Sequence, residues 1–340
     1  MSGPNQARLP LGQILIGDVR DRLGELPPSS VDTIITSPPY YALRDYGHED
    51  QLGLESNVNG WVKHLVGICD ELARVLKPTG SLWLNVGDGF SNHPRQGAAK
   101  KSLLLGPQRL AVALAEAGWS IRNQVIWAKN NPMPSSVGDR LSCGYEVVLL
   151  CVRTRRYFFD LDAIRVPATT RQKKRPNAAQ YQYLPEEAVP DGADVDLNQG
   201  LNHMKAEGQA AHPLGKNPTD VWMLPTAHFR GAHFATFPVS LVERPLLAGC
   251  PERVCTACGT PWERTPVDRT RRVPVLGQLV PSCNCDAGTR PGIVLDPFMG
   301  AGTVALTAEM HGRNWVGIEL NPAFAAMAQF RLDQWRRERR

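Results

Sequence analysis

The chain has 340 residues, 42% of them hydrophobic and 21% charged, with a formal net charge of +5. That length buries one large core with one or two small appendages. No run of eighteen apolar residues occurs and the first residues do not form a signal peptide, which argues against a membrane protein and leads us to expect a cytoplasmic one. The charge is weak evidence for nucleic acid, because five arginines among the last ten residues, against Asp333 and Glu338, supply +3 of it.

In chain order, Ile14-Leu15-Ile16 is a short apolar run ending in Gly17-Asp18, and Val31-Asp32-Thr33-Ile34-Ile35 reads as a buried strand of a parallel sheet. The second run delivers Thr36-Ser37-Pro38-Pro39-Tyr40. Two prolines fix φ near about −65° and remove two amide donors, so the carbonyls around them accept from other groups. With the Ser37 hydroxyl, the Pro38 carbonyl and the flat face of Tyr40, the segment suits an exocyclic amine on a planar base. A Pro-Pro turn beside a core tyrosine is the plainer alternative.

Trp61, Leu65, Ile68, Cys69, Leu72, Val75 and Leu76 recur at helical spacing, which predicts a helix ending at the turn Lys77-Pro78-Thr79-Gly80. Ser81 to Asp88 predicts the next strand, Pro107 to Ala117 a second amphipathic helix, and Ile121 to Ala128 and Glu146 to Val152 two more strands. Such alternation implies an α/β doubly wound sheet. Residues 165–215 lose this periodicity and are rich in Pro, Gly, Asn and Gln, the signature of an irregular insertion, either a target-recognition region or a linker. Between Arg153 and Arg175 stand eight basic and two acidic residues, a stretch able to follow phosphates, whereas the five acids of 186–196 are not.

Phe234 to Val239 leads into a helix carrying Leu241, Val242, Leu246 and Leu247. In the insert 250–290, Cys255-x-x-Cys258-Gly259 and Cys283-x-Cys285 can bring four thiolates to a tetrahedral zinc ion; free thiols in a loop are the alternative, and Cys250 is a substitute ligand. Cys69, Cys143 and Cys151 read as buried small residues. The basic run Arg269 to Arg272 is a candidate DNA contact, with a purely structural knuckle equally open.

Ile293-Val294-Leu295 is another buried strand and delivers Asp296-Pro297-Phe298-Met299-Gly300-Ala301-Gly302-Thr303, whose glycines allow a sharp turn and close approach to a ligand before a helix begins. Trp315 to Ile318 then forms a strand ending in Glu319, where nucleoside-binding α/β folds hold a ribose diol. A tight strand-to-helix connection and a solvated strand-end charge are the alternatives.

Thr36 to Tyr40 followed far downstream by Asp296 to Thr303 closely resembles the DNA amino-methyltransferases, and the catalytic tetrapeptide preceding the cofactor loop resembles their permuted beta group. The resemblance covers most of the chain outside 165–215 and 250–290. It implies a circularly permuted, mostly parallel, seven-stranded Rossmann-like sheet with S-adenosylmethionine as cofactor, and Ile14 to Asp18 as the strand by its adenine. Catalysis falls to Ser37, Pro38, Pro39 and Tyr40; cofactor binding to Asp18, Phe237, Asp296, Phe298, Gly300, Gly302, Thr303 and Glu319; structural zinc to Cys255, Cys258, Cys283 and Cys285 on the spacing given above. The implied organisation is a catalytic half at 1–164, the insertion at 165–215, a cofactor-packing segment at 216–249, the zinc knuckle at 250–290 and the cofactor half at 291–340. Double-stranded DNA is the implied partner and a cognate restriction endonuclease a second. RNA and protein-glutamine methyltransferases carry the cofactor loop first, so the order argues against them; a non-catalytic DNA-binding protein of the same fold is a further alternative. Relatives with Ser ahead of Pro-Pro-Tyr mostly methylate the N4 amine of cytosine and those with Asp the N6 amine of adenine, so Ser37 favours cytosine, with adenine as the alternative.

Overall fold

The computed structural model describes residues 9–44, 47, 51–167, 212–227, 237–268 and 274–339. Residues 168–211 of the irregular region, Phe234 to Thr236 and the Arg269 to Arg272 run lie outside these. The chain divides into two units, Met1–Asp160 with Thr219–Glu263 and Leu279–Arg340, and Leu161–Pro218 with Arg264–Gln278. Among the described residues no helix is long and apolar enough to cross a membrane.

The first unit is built on one mixed sheet. Its first six strands are β1 (Gln13–Ile16), β2 (Val31–Thr36), β3 (Leu76–Val86), β4 (Ser120–Lys129), β5 (Tyr145–Val152) and β6 (Val221–Leu224). The two-residue strands β7 (Val254–Cys255), β8 (Glu263–Arg264), β9 (Leu279–Val280) and β10 (Thr289–Arg290) follow in the chain, then β11 (Ile293–Asp296) and β12 (Asn314–Glu319). The large sheet has eight strands in the order β1-β12-β11-β2-β3-β5-β4-β6. Within it β5 runs antiparallel to both neighbours and the other pairs are parallel.

The eighth strand corrects the seven that the resemblance implies. Val221 to Leu224 pairs with Ile126 to Lys129 along the outer side of β4. Four residues between Pro218 and Pro225 are too few to show a strand period in sequence.

A second correction concerns Lys77 to Gly80, which is no free turn. β3 begins at Leu76, opposite Val31, and resumes pairing at Ser81, opposite Thr33, so the intervening residues bulge out of the ladder. The bulge tolerates Pro78, which has no amide to give. It also needs Gly80, where a Cβ would stand 2.7 Å from the Asp32 carbonyl oxygen.

Helices cover both faces. α1 (Val19–Gly24), α2 (Val58–Val75) and α3 (Gly106–Glu116) pack in series on one side. There Trp61, Leu65, Ile68 and Leu72 of α2 meet Ile34, Leu82 and Leu84 of the sheet. α4 (Val239–Gly249), α5 (Thr303–Met310) and α6 (Pro322–Glu338) pack in series as well. Gly249 of α4 lies against Thr33, Ser81 and Trp83, the alternate residues of the same strands, which places it on the opposite side.

In the second unit a 3₁₀ turn at Asp162–Ile164 positions Arg165, which bonds Asp162 and Asn217, each at 2.6 Å. Val166 bridges to Lys216.

The starts of β2 and β11 are tied by one buried carboxylate. Asp32 accepts from the Ile293 amide at 2.9 Å and from Lys77 Nζ at 2.5 Å. Removing one partner of a buried ion pair strands the other, so Asp32→Ala should cost about 3–5 kcal/mol in a denaturant titration.

Candidate active site

β2 is buried throughout and ends by presenting Ser37 to Tyr40 at the carboxyl edge of the sheet, where open α/β folds bind ligands. Tyr40 Oη donates to Glu146 Oε2 at 2.7 Å and lies 3.1 Å from Ser37 Oγ. Asn85 Nδ2 contacts Tyr40 Oη at 2.6 Å, Glu146 Oε2 at 2.9 Å and Ser37 Oγ at 3.3 Å. Lys129 Nζ reaches Glu146 Oε1 at 2.6 Å. The Pro39 carbonyl accepts from Trp61 Nε1 at 2.9 Å, fixing the Pro-Pro segment to α2. The Tyr40 ring packs closely against Gly87, where a Cβ would come within 2.6 Å of it.

Asn85, Glu146 and Lys129 are the site residues that the sequence reading misses. Asn85 and Glu146 are polar residues beside apolar strand runs, the one signal available, and Lys129 ends a strand of mixed character that gives none. Nothing in sequence says that three separate strands bring them to one place.

β11 ends beside β2, and the two loops are joined at their base. Thr36 Oγ1 donates to Asp296 Oδ1 at 2.7 Å, and the Phe298 amide donates to the same oxygen at 3.2 Å. Asp296 Oδ2 is buried with no protein partner. Burial pushes the Asp296 carboxyl up to about 7, with the charge of Glu319 adding to the shift and the Thr36 and Phe298 hydrogen bonds opposing it. Gly300 (φ +50°) and Gly302 (φ +72°) turn the loop through the left-handed region, as the sequence anticipates. Glu319 at the end of β12 accepts from the Gly300 amide at 2.7 Å and the Asn321 amide at 2.9 Å. Its carboxyl is raised, first by burial. Arg331 of α6 braces the loop from behind, bonding the Ala301 carbonyl and Thr303 Oγ1.

Both loops open onto one cavity of about 620 Å³. Ser37, Pro38, Pro39 and Tyr40 line it, as do Asp18, Phe237, Phe298, Gly300, Thr303 and Glu319. Asp18 caps α1 and holds the Arg20 guanidinium at 2.6 and 2.8 Å. Asp296 and Gly302 are not among the residues that line the cavity, and Asp296 connects the two loops through Thr36.

Of the cysteines, Cys255, Cys258, Cys283 and Cys285 come together, with their sulfur atoms all within 4.8 Å of one another. Cys250 is buried outside that cluster. Cys69 and Cys151 are buried, but Cys143 is exposed and lines the cavity, which corrects its placement in the core.

The family model of the N6/N4 DNA methylases matches residues 31–330, nearly the whole chain and both loops. The chain belongs to the DNA methylase family. The type II methyltransferase M.Cfr9I of Citrobacter freundii is 32% identical, covering 93% of this chain and 86% of its own. Among solved structures, the PvuII DNA methyltransferase, described as cytosine-N4-specific, superposes with a TM-score of 0.56 at 16% identity, covering 94% of this chain and 85% of that one. A proposed DNA modification methylase of Thermus thermophilus, complexed with S-adenosyl-L-methionine, superposes with a TM-score of 0.52 at 21% identity, covering 95% of this chain and 93% of that one. The protein is thus a DNA methyltransferase of the beta amino-methyltransferase group, and the two structures share its fold.

The Asp296 shift has a measurable sign. Between its ordinary 3.8 and about 7, the folded methyltransferase holds a proton that the unfolded chain has lost. Stability at this residue therefore falls as pH rises through that window, by at most about 1.4 kcal/mol per pH unit. Asp296→Asn keeps an acceptor for Thr36 and removes the titration. Thermal melts should show the variant's melting temperature rising relative to the wild type's from pH 5 to pH 7, and a variant that instead loses ground over that range would contradict the assignment.

Proposed function

We propose that this methyltransferase moves a methyl group from S-adenosylmethionine to the exocyclic N4 amine of a cytosine rotated out of double-stranded DNA. The observation that carries this reading is the position of Ser37, a hydroxyl at the head of Pro-Pro-Tyr on the wall of the cavity that Gly300 and Glu319 also line. A cavity of about 620 Å³ is within the usual range for a small-molecule site. Phe237 and Phe298 offer apolar walls for a nucleoside, and the Glu319 oxygens keep lone pairs for ribose hydroxyls beyond the backbone amides they accept. These residues fit S-adenosylmethionine, which when bound supplies a methyl group activated by a sulfonium leaving group.

The chain's own groups do the rest. A base amine inside a duplex is out of reach, so the target nucleotide must leave the stack. The Tyr40 ring, seated on Gly87 and held at its hydroxyl by Glu146, offers that base a fixed stacking face. Ser37 Oγ accepts one amine hydrogen and draws the lone pair out of the ring toward the nitrogen. As the new N–C bond forms, the nitrogen gives up a proton, and the chain Ser37–Tyr40–Glu146 is a hydroxyl path to a carboxylate. Lys129 and Asn85 keep that carboxylate in line. Positioning of this kind supplies most of the rate where the leaving group is already good. Relatives such as M.Cfr9I are type II methyltransferases, which favours a restriction endonuclease as the functional counterpart.

Two experiments test the reading. Nucleosides from DNA methylated by the pure enzyme should contain N4-methylcytosine by mass spectrometry; N6-methyladenine as the sole product overturns the choice of base. Glu146→Gln should lower kcat by roughly 10²-fold, with DNA and cofactor affinities retained. An unchanged kcat would remove Glu146 from the mechanism.

A further inference from the structure

We propose that Cys255, Cys258, Cys283 and Cys285 bind one zinc(II) ion, and that the resulting knuckle fastens the starts of β2 and β11, at the end of the sheet away from methyl transfer. A zinc ion with four thiolates at about 2.3 Å sets its sulfurs about 3.8 Å apart. The four sulfurs here lie within 4.8 Å of one another although they come from two segments, 255–258 and 283–285. Each segment is shaped for this. Gly259, at φ +71°, donates its amide to the Cys255 carbonyl at 2.9 Å and closes the turn beneath the first pair. β7 and β10 pair antiparallel, with Cys255 opposite Thr289, and bring the chain following the second pair alongside the first. Thr256 adds two bonds to the Gly288 carbonyl, from its amide and its hydroxyl, both at 2.9 Å. An all-sulfur tetrahedral set selects zinc or iron, and a purely structural duty suits the redox-inert ion.

The location gives the knuckle its role. β10 ends at Arg290 and β11 starts at Ile293, so the knuckle is attached directly to the root of the cofactor-loop strand. Lys77 Nζ reaches the Gly259 carbonyl at 3.5 Å while holding Asp32 of β2, and Asp32 in turn holds the Ile293 amide. The Gly292 amide also bonds the Pro251 carbonyl at 3.0 Å. The catalytic loop emerges from the other end of β2, five strand rises or roughly 17 Å further on. None of the four cysteines lines the active-site cavity.

The test uses the full chain purified without chelators. Elemental analysis should find about one zinc per chain, and Cys258→Ser and Cys283→Ser should each lose it. Cobalt(II)-substituted protein should show the strong visible bands of a tetrahedral tetrathiolate ion, a readout that does not depend on either variant folding. Chelation should lower the melting temperature and weaken hydrogen-exchange protection at Ile293 to Asp296, with recovery on adding zinc. Iron instead of zinc, native disulfides among the four cysteines, absence of metal, or zinc retained in Cys283→Ser each overturns the site. Chelation that removes zinc but leaves the strand's protection unchanged overturns the fastening role. Metal content and exchange are read without substrate, so they are independent of whether the enzyme methylates cytosine.

Discussion

The active site depends on one buried hydrogen bond, from Thr36 to Asp296 at 2.7 Å. These residues are 260 positions apart, yet they are the last residues of two adjacent parallel strands. The bond sets the Ser37 to Tyr40 loop and the Pro297 to Thr303 loop at a fixed spacing, which the proposed reaction between two bound molecules requires. Its setting carries a cost. The Asp296 carboxylate loses its water, one oxygen finds no protein partner, and Glu319 adds negative charge nearby, so ionisation is opposed up to about 7. The acid serves here as a joint between loops.

Strand direction explains the rest of the site. β1, β12, β11, β2 and β3 run parallel, so their carboxyl ends form one edge, and Asp18, Glu319, the cofactor loop, Ser37 and Asn85 all arrive there. β5 is reversed, so it contributes its beginning to the same edge, and Glu146 is its second residue. A parallel β5 would carry that carboxylate to the far side of the sheet. The reversed strand thus supplies the acid that accepts from the Tyr40 hydroxyl.

Charge is spent internally more than composition suggests. Arg331 holds the cofactor loop and Arg336 pairs with Glu309 and Asp333, so part of the basic C-terminal stretch stabilises the fold. At the opposite end of the sheet, Asp32, Lys77 and Arg290 gather where β2 and β11 begin. The strands that carry the chemistry are held at both ends, by Asp32 at their roots and by Asp296 at their tips.

Sequence alone determined the two loops, their order, the glycines of the cofactor turn, the helices α2 and α3 and the four clustered cysteines. Each of these is a local signal: a β-branched run, a Pro-Pro pair, a helical period or a close spacing. The tertiary structure alone decided what depends on neighbours. It placed Asp296 against Thr36, put Cys143 at the cavity, added β6 at the sheet edge and turned Lys77 to Gly80 into a bulge. It also gathered Asn85, Glu146 and Lys129 from three strands around Tyr40. A strand residue meets partners set by strand order and direction, and neither is encoded within the strand's own few residues.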